Sequence, residues 1–417
     1  MNLLELAAAN QLRKTGEKKK LLVPGQVNEY YDVYSIPLKY LYYNDQNGRI
    51  NTMYKKYKAN NGTLVPEPGN SEYNKIFENF IFESHKQAMI DTKLSIKEKT
   101  QQEPGVVLPD GRVIDGNRRL TALRMLQEER GYPQEFNAVI LRLDVNSKID
   151  EKIIKELELD LQLGREERVN YDPIDRIFDV YNTIEVEKIM TKEEYKKASG
   201  AKNTRGINRD IRLAELIIRF IEIISPGGNP IDKFYLARDL KLDGPIEEIE
   251  RSLTKLKSTN KESIKEAVLV HLAVTKTVED QQDTTRVMRD LKDNVLKNPE
   301  ILEYYLDAVD DKVDIIMDSF EEHPIDSATE LKVVLEQDEE VQKNVVGLIK
   351  STNRLIHKGK NDNERTKTLV ELELVRDSLA EIRPDDFVEL TDDESLDAKE
   401  IIREITDILF VLKREMP

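Results

Sequence analysis

The chain has no cysteine and no tryptophan among its 417 residues, only four histidines, and few aromatic side chains (6%). The missing cysteine excludes disulfides, thiolate metal sites and cysteine nucleophiles. It also suits a reducing compartment, so a cytoplasmic location is expected. His85, His271, His323 and His357 lie far apart, without the spacing of metal ligands. The scarcity of aromatic residues argues against a large β-sandwich. Long apolar runs are missing as well. The richest, residues 213–224, is short and is broken by Glu215, Arg219 and Glu222, so no membrane partner is expected. Near the N-terminus the apolar residues (Leu3, Leu4, Ala7, Ala8, Ala9) precede the basic ones (Lys14, Lys18, Lys19, Lys20). That is the reverse of an export signal.

What is plentiful is charge: 35% of residues are charged and the net charge is −16. Such an excess of acid disfavours a protein that coats nucleic acid. The distribution is uneven, however. Residues 191–219 carry Lys192, Lys196, Lys197, Lys202, Arg205, Arg209, Arg212 and Arg219, whereas the C-terminal part is dominated by Asp and Glu. A basic module on an acidic chain is compatible with local DNA contact. The length predicts two or three domains.

Along the chain, residues 1–20 read as a short amphipathic helix or an arm. Residues 32–38 alternate polar and apolar side chains and read as a strand. Residues 44–49 and 59–72, rich in Asn, Gly and Pro, read as loops. Residues 73–100 carry a helical pattern through Ile76, Phe77, Phe80, Ile81 and Phe82. Then come two short apolar runs, 106–108 and 112–114, joined by Pro109-Asp110-Gly111, which predicts a β-hairpin. Asp115-Gly116-Asn117-Arg118-Arg119 follows, and Leu120, Leu123 and Leu126 recur at helical spacing until Gly131 and Pro133. Residues 137–141 read as another strand, and from 151 onward the pattern is helical. Residues 225–230 (Ser-Pro-Gly-Gly-Asn-Pro) read as the clearest linker, with a weaker break at 358–364.

The order strand, glycine turn, helix at 112–126 has a chemical implication. Such a turn leaves the first N–H groups of the helix without carbonyl partners, and these donors and the helix dipole favour an anion. Arg118 and Arg119 fall in the first turn, and a guanidinium fork matches phosphate oxygens. The pattern therefore points to a phosphate-bearing ligand, with a solvated turn as the plain alternative.

A second pattern lies at 191–216. Thr191 and Glu194 form a capping box, Tyr195 and Ala198 face inward, and Gly200 ends a short helix. Asn203 or Thr204 then caps a helix carrying Ile207, Ile211, Leu213 and Leu216. Helix, glycine turn, helix is the layout of a helix-turn-helix. Its outward residues are expected to be Lys202, Asn203, Thr204, Arg205, Asn208, Arg209 and Arg212, a set suited to phosphates and base edges in a major groove. The alternative is a helical hairpin with a solvated charged face.

Over about residues 30–225 these patterns together resemble the ParB-like superfamily. Val113-Ile114-Asp115-Gly116-Asn117-Arg118-Arg119-Leu120 resembles the family's Gly-x-Arg-Arg box. Residues 34–38 resemble its opening strand, and residues 44–49 its Asn-Pro-x-x-x-Arg loop, with Arg49 in the arginine position. Residues 159–163 resemble its Glu-Asn-x-Gln-Arg box through Gln162, although Leu159, Asp160 and Leu163 replace the Glu, Asn and Arg. Tyr171 to Asp175 resembles the Leu-x-Pro-x-Glu segment that follows. The resemblance implies an α+β N-terminal ParB/sulfiredoxin-like domain, then an all-α helix-turn-helix domain and an all-α C-terminal half. Residues 1–29 would form an arm, 30–150 the nucleotide-binding domain, 151–225 the helical region with the helix-turn-helix, and 231–417 a helical region open to dimerisation.

In function, the resemblance implies a nucleoside triphosphate (CTP foremost, ATP as the other choice) bound by Arg49, Gly116, Asn117, Arg118, Arg119 and Gln162. It implies Mg²⁺ with Asp160 as a ligand, DNA as partner, a homodimer, and a bacterial or phage setting near the nucleoid. Plasmid or chromosome partition and transcription control are the matching roles, with slow triphosphate hydrolysis as a switch. A nuclease or kinase is the enzymatic alternative, with Asp115 and Asp160 as candidate catalytic carboxylates. The lack of cysteine excludes sulfiredoxin chemistry, and Asn117 and Arg118 replace the two histidines of the related serine kinases. A third reading is an adaptor with an inactive nucleotide site, whose acidic C-terminal half binds a protein partner. In the last helix Ala398, Ile402, Ile405, Leu409 and Leu412 keep a heptad spacing widened by Ile401 and Ile408, suiting either a dimer seam or packing on the chain's own core.

Overall fold

A computed structural model describes the chain except residues 28, 145, 164–171, 278–282, 389 and 416–417, together with several side chains between 363 and 392. Tyr171, and the stretch joining the two parts of the third box, therefore lie outside the described residues. Two compact units are present, Met1–Asn353 and Arg354–Pro417.

The first unit begins with α1 (Leu3–Ala8) and β1 (Arg13–Lys20), then β2 (Tyr30–Pro37), β3 (Tyr42–Tyr43), α2 (Asn51–Asn61), α3 (Ser71–Ser84) and α4 (Lys86–Lys99). It continues with β4 (Gly105–Val107), β5 (Arg112–Asp115), α5 (Asn117–Arg130) and β6 (Glu135–Ile140). Among the described residues these strands form one mixed sheet in the order β1-β2-β6-β4-β5-β3. The pairs β4/β6 and β3/β5 are parallel, and β1/β2, β2/β6 and β4/β5 are antiparallel.

Alternation along the strands feeds two cores. Ile36, Val107, Val113, Phe136, Ala138 and Ile140 pack on one face against Tyr73 and Phe77 of α3 and Leu120, Leu123 and Leu126 of α5. Val33, Val106, Ile114 and Val139 pack on the other against Ile154, Leu157 and Leu161, which belong to α6 (Lys148–Leu163). Each fully buried side chain of this size contributes about 2 kcal/mol, so the helical layers hold the sheet more than its short edge strand β3 does. The expected hairpin at 106–114 is present. Gly111 takes φ +97°, and a Cβ there would collide with the Tyr40 carbonyl oxygen.

Two expectations change. Residues 1–29 are not a separate arm: the Leu3 N–H donates to the Pro109 carbonyl (2.7 Å), and β1 pairs with β2 as an edge strand. The strand reads Arg-Lys-Thr-Gly-Glu-Lys-Lys-Lys, without apolar alternation, as suits a lysine-rich edge that resists pairing with other chains. Residues 225–230 are not a boundary between compact units either. The Ile325 N–H donates to the Ile224 carbonyl (3.0 Å), and Phe234, Tyr235, Leu236 and Ala237 are buried just after the turn. Proline and glycine there shape a turn, and the apolar residues behind it bring the chain back onto the same core.

The rest of the first unit is helical: α7 (Pro173–Tyr181), α8 (Lys192–Ser199), α9 (Arg205–Ile224), α10 (Tyr235–Asp239), α11 (Asp243–Lys255), α12 (Lys261–Thr275), α13 (Thr284–Leu291), α14 (Pro299–Glu322), α15 (Ala328–Glu336) and the start of α16 (Glu339–Glu381). The division between the units falls within α16, ahead of the break expected at 358–364. The second unit contains the remainder of α16 and α17 (Asp392–Glu415). Ile401, Ile402, Ile408, Leu409 and Leu412 of α17 are all exposed, so the stripe does not pack into a core of its own unit. No helix among the described residues is long and apolar enough to cross a membrane.

Candidate functional site

Strand β5 delivers Asp115 to the turn where α5 begins. Gly116 is the N-cap, in left-handed geometry with φ +98°. A Cβ at this position would lie 2.8 Å from Phe136 Cζ and within about 3.3 Å of the Arg119 guanidinium, so glycine is required both by φ and by space. With no cap side chain, the first N–H groups of α5 open onto a cavity of about 550 Å³.

The cavity wall brings together Arg49, Gly116, Asn117, Arg118, Arg119 and Gln162, the residues expected from the sequence, with Asp115 and Lys19 beside them. They arrive from four places. Lys19 comes from the edge strand, Arg49 from the loop before α2, Gln162 from the last turn of α6, and the others from the β5–α5 turn. The loop that carries Arg49 is held by Arg112, whose guanidinium donates to Asp45 Oδ1 (2.5 Å) and to Asn44 Oδ1 (3.4 Å). The opposite wall is α3 and α4, through Ile81, His85, Asp91, Thr92 and Ile96.

The two arginines of the turn differ in role. Arg119 donates to Asp115 Oδ2 (3.0 Å) and to the carbonyls of Glu103 and Pro104. It braces the turn as much as it charges the cavity. Arg118 is half-exposed on the wall. Lys19 is buried, donates to the Pro104 carbonyl, and lies 3.7 Å from Asp115 Oδ2. Asp115 is thus held between two cations. Asn117 is buried on the wall, and its Oδ1 has no hydrogen-bond partner among the described residues. Buried amide oxygens are rarely left so, and a ligand hydroxyl or amine would satisfy this one.

Asp160 stands apart. It is exposed on α6 and absent from the wall. The inward carboxylate of this helix is Glu158, buried, accepting from the Gly48 N–H (3.4 Å) and from Gln162 Nε2 (3.0 Å). Burial pushes the Glu158 carboxyl up, with Lys155 opposing. Asp115 and Asp160 are therefore not brought together as a catalytic pair. Among the described residues no group of three or more His, Asp or Glu side chains is arranged to hold a metal ion.

The second pattern folds as a short helix, a glycine turn and a long helix. Thr191 and Glu194 form the capping box of α8, Gly200 ends it, and the Asn203 side chain accepts from the Arg205 N–H (3.0 Å) at the start of α9. Lys202, Asn203 and Arg205 are exposed at that end, and Thr204 and Asn208 are half-exposed. Arg209 and Arg212 are placed differently: Arg209 pairs with Glu247 (2.8 Å) and Arg212 with Glu250, both on α11. Lys202 and Arg205 are thus the exposed cations of this end that carry no ion pair to α11, with Lys197 of α8 exposed beside them in sequence.

Lys19, Glu158 and the α3–α4 wall were not anticipated. Lys19 lies in a run of lysines that reads as a solvated arm. Glu158 was detectable, because it stands four residues before Gln162, on the same helix face. Neither protein-family models nor curated proteins match the chain.

Proposed function

We propose that this protein is a ParB-like, nucleotide-responsive DNA-binding protein. It binds the phosphates of a nucleoside triphosphate in the cavity at the start of α5 and holds DNA with the N-terminal end of α9. The observation that supports the reading best is the meeting of Arg49, Arg118, Arg119 and Lys19 around an uncapped helix N-terminus, in a cavity of about 550 Å³. Cations and helix N–H groups together are what a polyphosphate requires, and the volume is within the range of small-ligand sites. Magnesium would enter with the phosphates rather than on a protein cage. The ion-paired state of Asp115 and the outward position of Asp160 favour binding over nuclease or kinase chemistry. Two copies would meet through the exposed stripe of α17.

The test is calorimetry of CTP, ATP, GTP and UTP, each with magnesium, on the wild type and Arg118→Ala. Heat with one nucleotide that is lost in the variant supports the reading and names the base. No heat with any of the four overturns it.

A further inference from the structure

A buried polar row runs from the cavity wall to the helix-turn-helix. Gln162 on the wall donates to Glu158 Oε1 (3.0 Å), which also accepts from Gly48 of the Arg49 loop (3.4 Å). Lys155 Nζ lies 3.9 Å from Glu158 Oε2 and donates to Asp179 Oδ1 of α7 (2.6 Å). The other oxygen of Asp179 accepts from the Tyr195 hydroxyl of α8 (3.1 Å). Glu158, Lys155, Asp179 and Tyr195 are all buried.

One turn earlier on α7, Asp175 accepts from Thr52 Oγ1 of α2 (2.5 Å), the helix that begins just after the Arg49 loop. Between these two acids, Arg176 reaches Asp210 of α9 (3.2 Å). Helix α7 thus touches the elements that carry Arg49 and Gln162 on one side and both helices of the DNA-reading motif on the other. Buried charges of this kind are held by their partners and tolerate little displacement.

We infer that α7 is the coupling element between the two sites, and that Glu158, Lys155, Asp179 and Tyr195 are the positioning residues that carry the effect of a bound nucleotide to the DNA-reading helices. The inference rests on the reading of the cavity as a nucleotide site. Phosphates that engage Gln162 or the Arg49 loop draw a donor away from Glu158. Lys155 then shifts its share toward Glu158, Asp179 is released in part, and the hydroxyl that seats α8 loses its acceptor. Linkage is reciprocal: DNA that moves α8 must alter nucleotide affinity by the same factor.

The test uses the full chain. Binding of a labelled 30-base-pair duplex is measured by fluorescence anisotropy at fixed ionic strength, with and without saturating CTP, ATP, GTP or UTP. Wild type, Tyr195→Phe and Glu158→Gln are compared, and calorimetry gives each protein's affinity for nucleotide alone. The wild-type DNA Kd should change at least about fivefold with the bound nucleotide. In each variant the change should fall below about twofold, and in Tyr195→Phe nucleotide affinity and DNA affinity measured separately should stay within about threefold of wild type. Glu158→Gln carries the test if Tyr195→Phe does not fold. Variants that keep the full change, or a wild type that binds both ligands without mutual effect, overturn the inference alone. A wild type that binds no nucleotide overturns the cavity reading and the inference with it.

Discussion

The carboxylate of Asp175 lies 2.9 Å from the guanidinium of Arg238, joining α7 to α10 at a point from which water is excluded on the Asp175 side. Burial pushes the Asp175 carboxyl up to about 7, against the pull of Arg238 and Thr52. The acid's folded pKa is thus above its unfolded value of 3.8, and between these values the folded state binds the additional proton. Its contribution is fully present below pH about 4 and is lost as pH rises through about 7. The difference is at most about 4 kcal/mol. Urea denaturation at pH 5 and pH 8 should show this loss in the wild type. It should be absent in Asp175→Asn, which keeps an acceptor for Thr52. An unchanged pH slope in the variant would count against the raised value.

His271 gives the opposite sign. It is buried in α12, neither ring nitrogen has a partner among the described residues, and burial pushes its pKa down to about 4. Its contribution is present above pH 6.5 and is lost as pH falls through about 4, up to about 3 kcal/mol. His271→Leu should therefore lose less stability than the wild type between pH 7 and pH 4.5 in parallel urea titrations. Equal losses would show that the ring is not held neutral.

At the cavity, Gly116→Ala forces a Cβ toward Phe136 at a φ that alanine avoids. A loss of about 1–3 kcal/mol in chemical denaturation is expected, with nucleotide heat reduced at least tenfold. Gly131→Ala is the control. It also has positive φ, yet a Cβ there meets nothing within 4 Å, so nucleotide binding should be retained.

On the surface proposed to read DNA, Lys202→Ala and Arg205→Ala should each weaken duplex binding and lower the salt slope by about one counterion, measured by anisotropy from 50 to 200 mM salt. Arg209→Ala should act mainly through its lost pair with Glu247, half-exposed and worth less than about 1 kcal/mol. A slope change as large for Arg209→Ala as for Arg205→Ala would place Arg209 on the DNA as well.

For α17, Ile402→Glu combined with Leu409→Glu puts charge on the exposed stripe. Light scattering behind size exclusion should give a dimer for the wild type and a monomer for the variant. A wild-type monomer at micromolar concentration would remove the dimer from the proposal.

What the sequence determined was local. Asp110-Gly111 defines the hairpin turn, the Thr191–Glu194 box starts α8, and Gly116 before a leucine-spaced helix defines the strand-to-helix turn. In each, the signal depends on backbone geometry that one residue type satisfies and others do not. The mixed α+β start and the helical remainder followed from the same periodicities. Tertiary structure alone decided which distant groups share a space. Lysines at 18–20 carry no strand pattern, and only pairing with β2 puts Lys19 on the wall. Asp160 and Glu158 are both acids on one helix; the face that packs over the Arg49 loop buries Glu158 and leaves Asp160 in water. Arg209 and Arg212 read as DNA contacts because the sequence does not show which acids will meet them: Glu247 and Glu250 arrive 38 residues later on α11. Charge is visible in a sequence, but its partner is chosen by packing, because an ion pair needs contact within a few ångströms and the chain sets no limit on the loop that closes it.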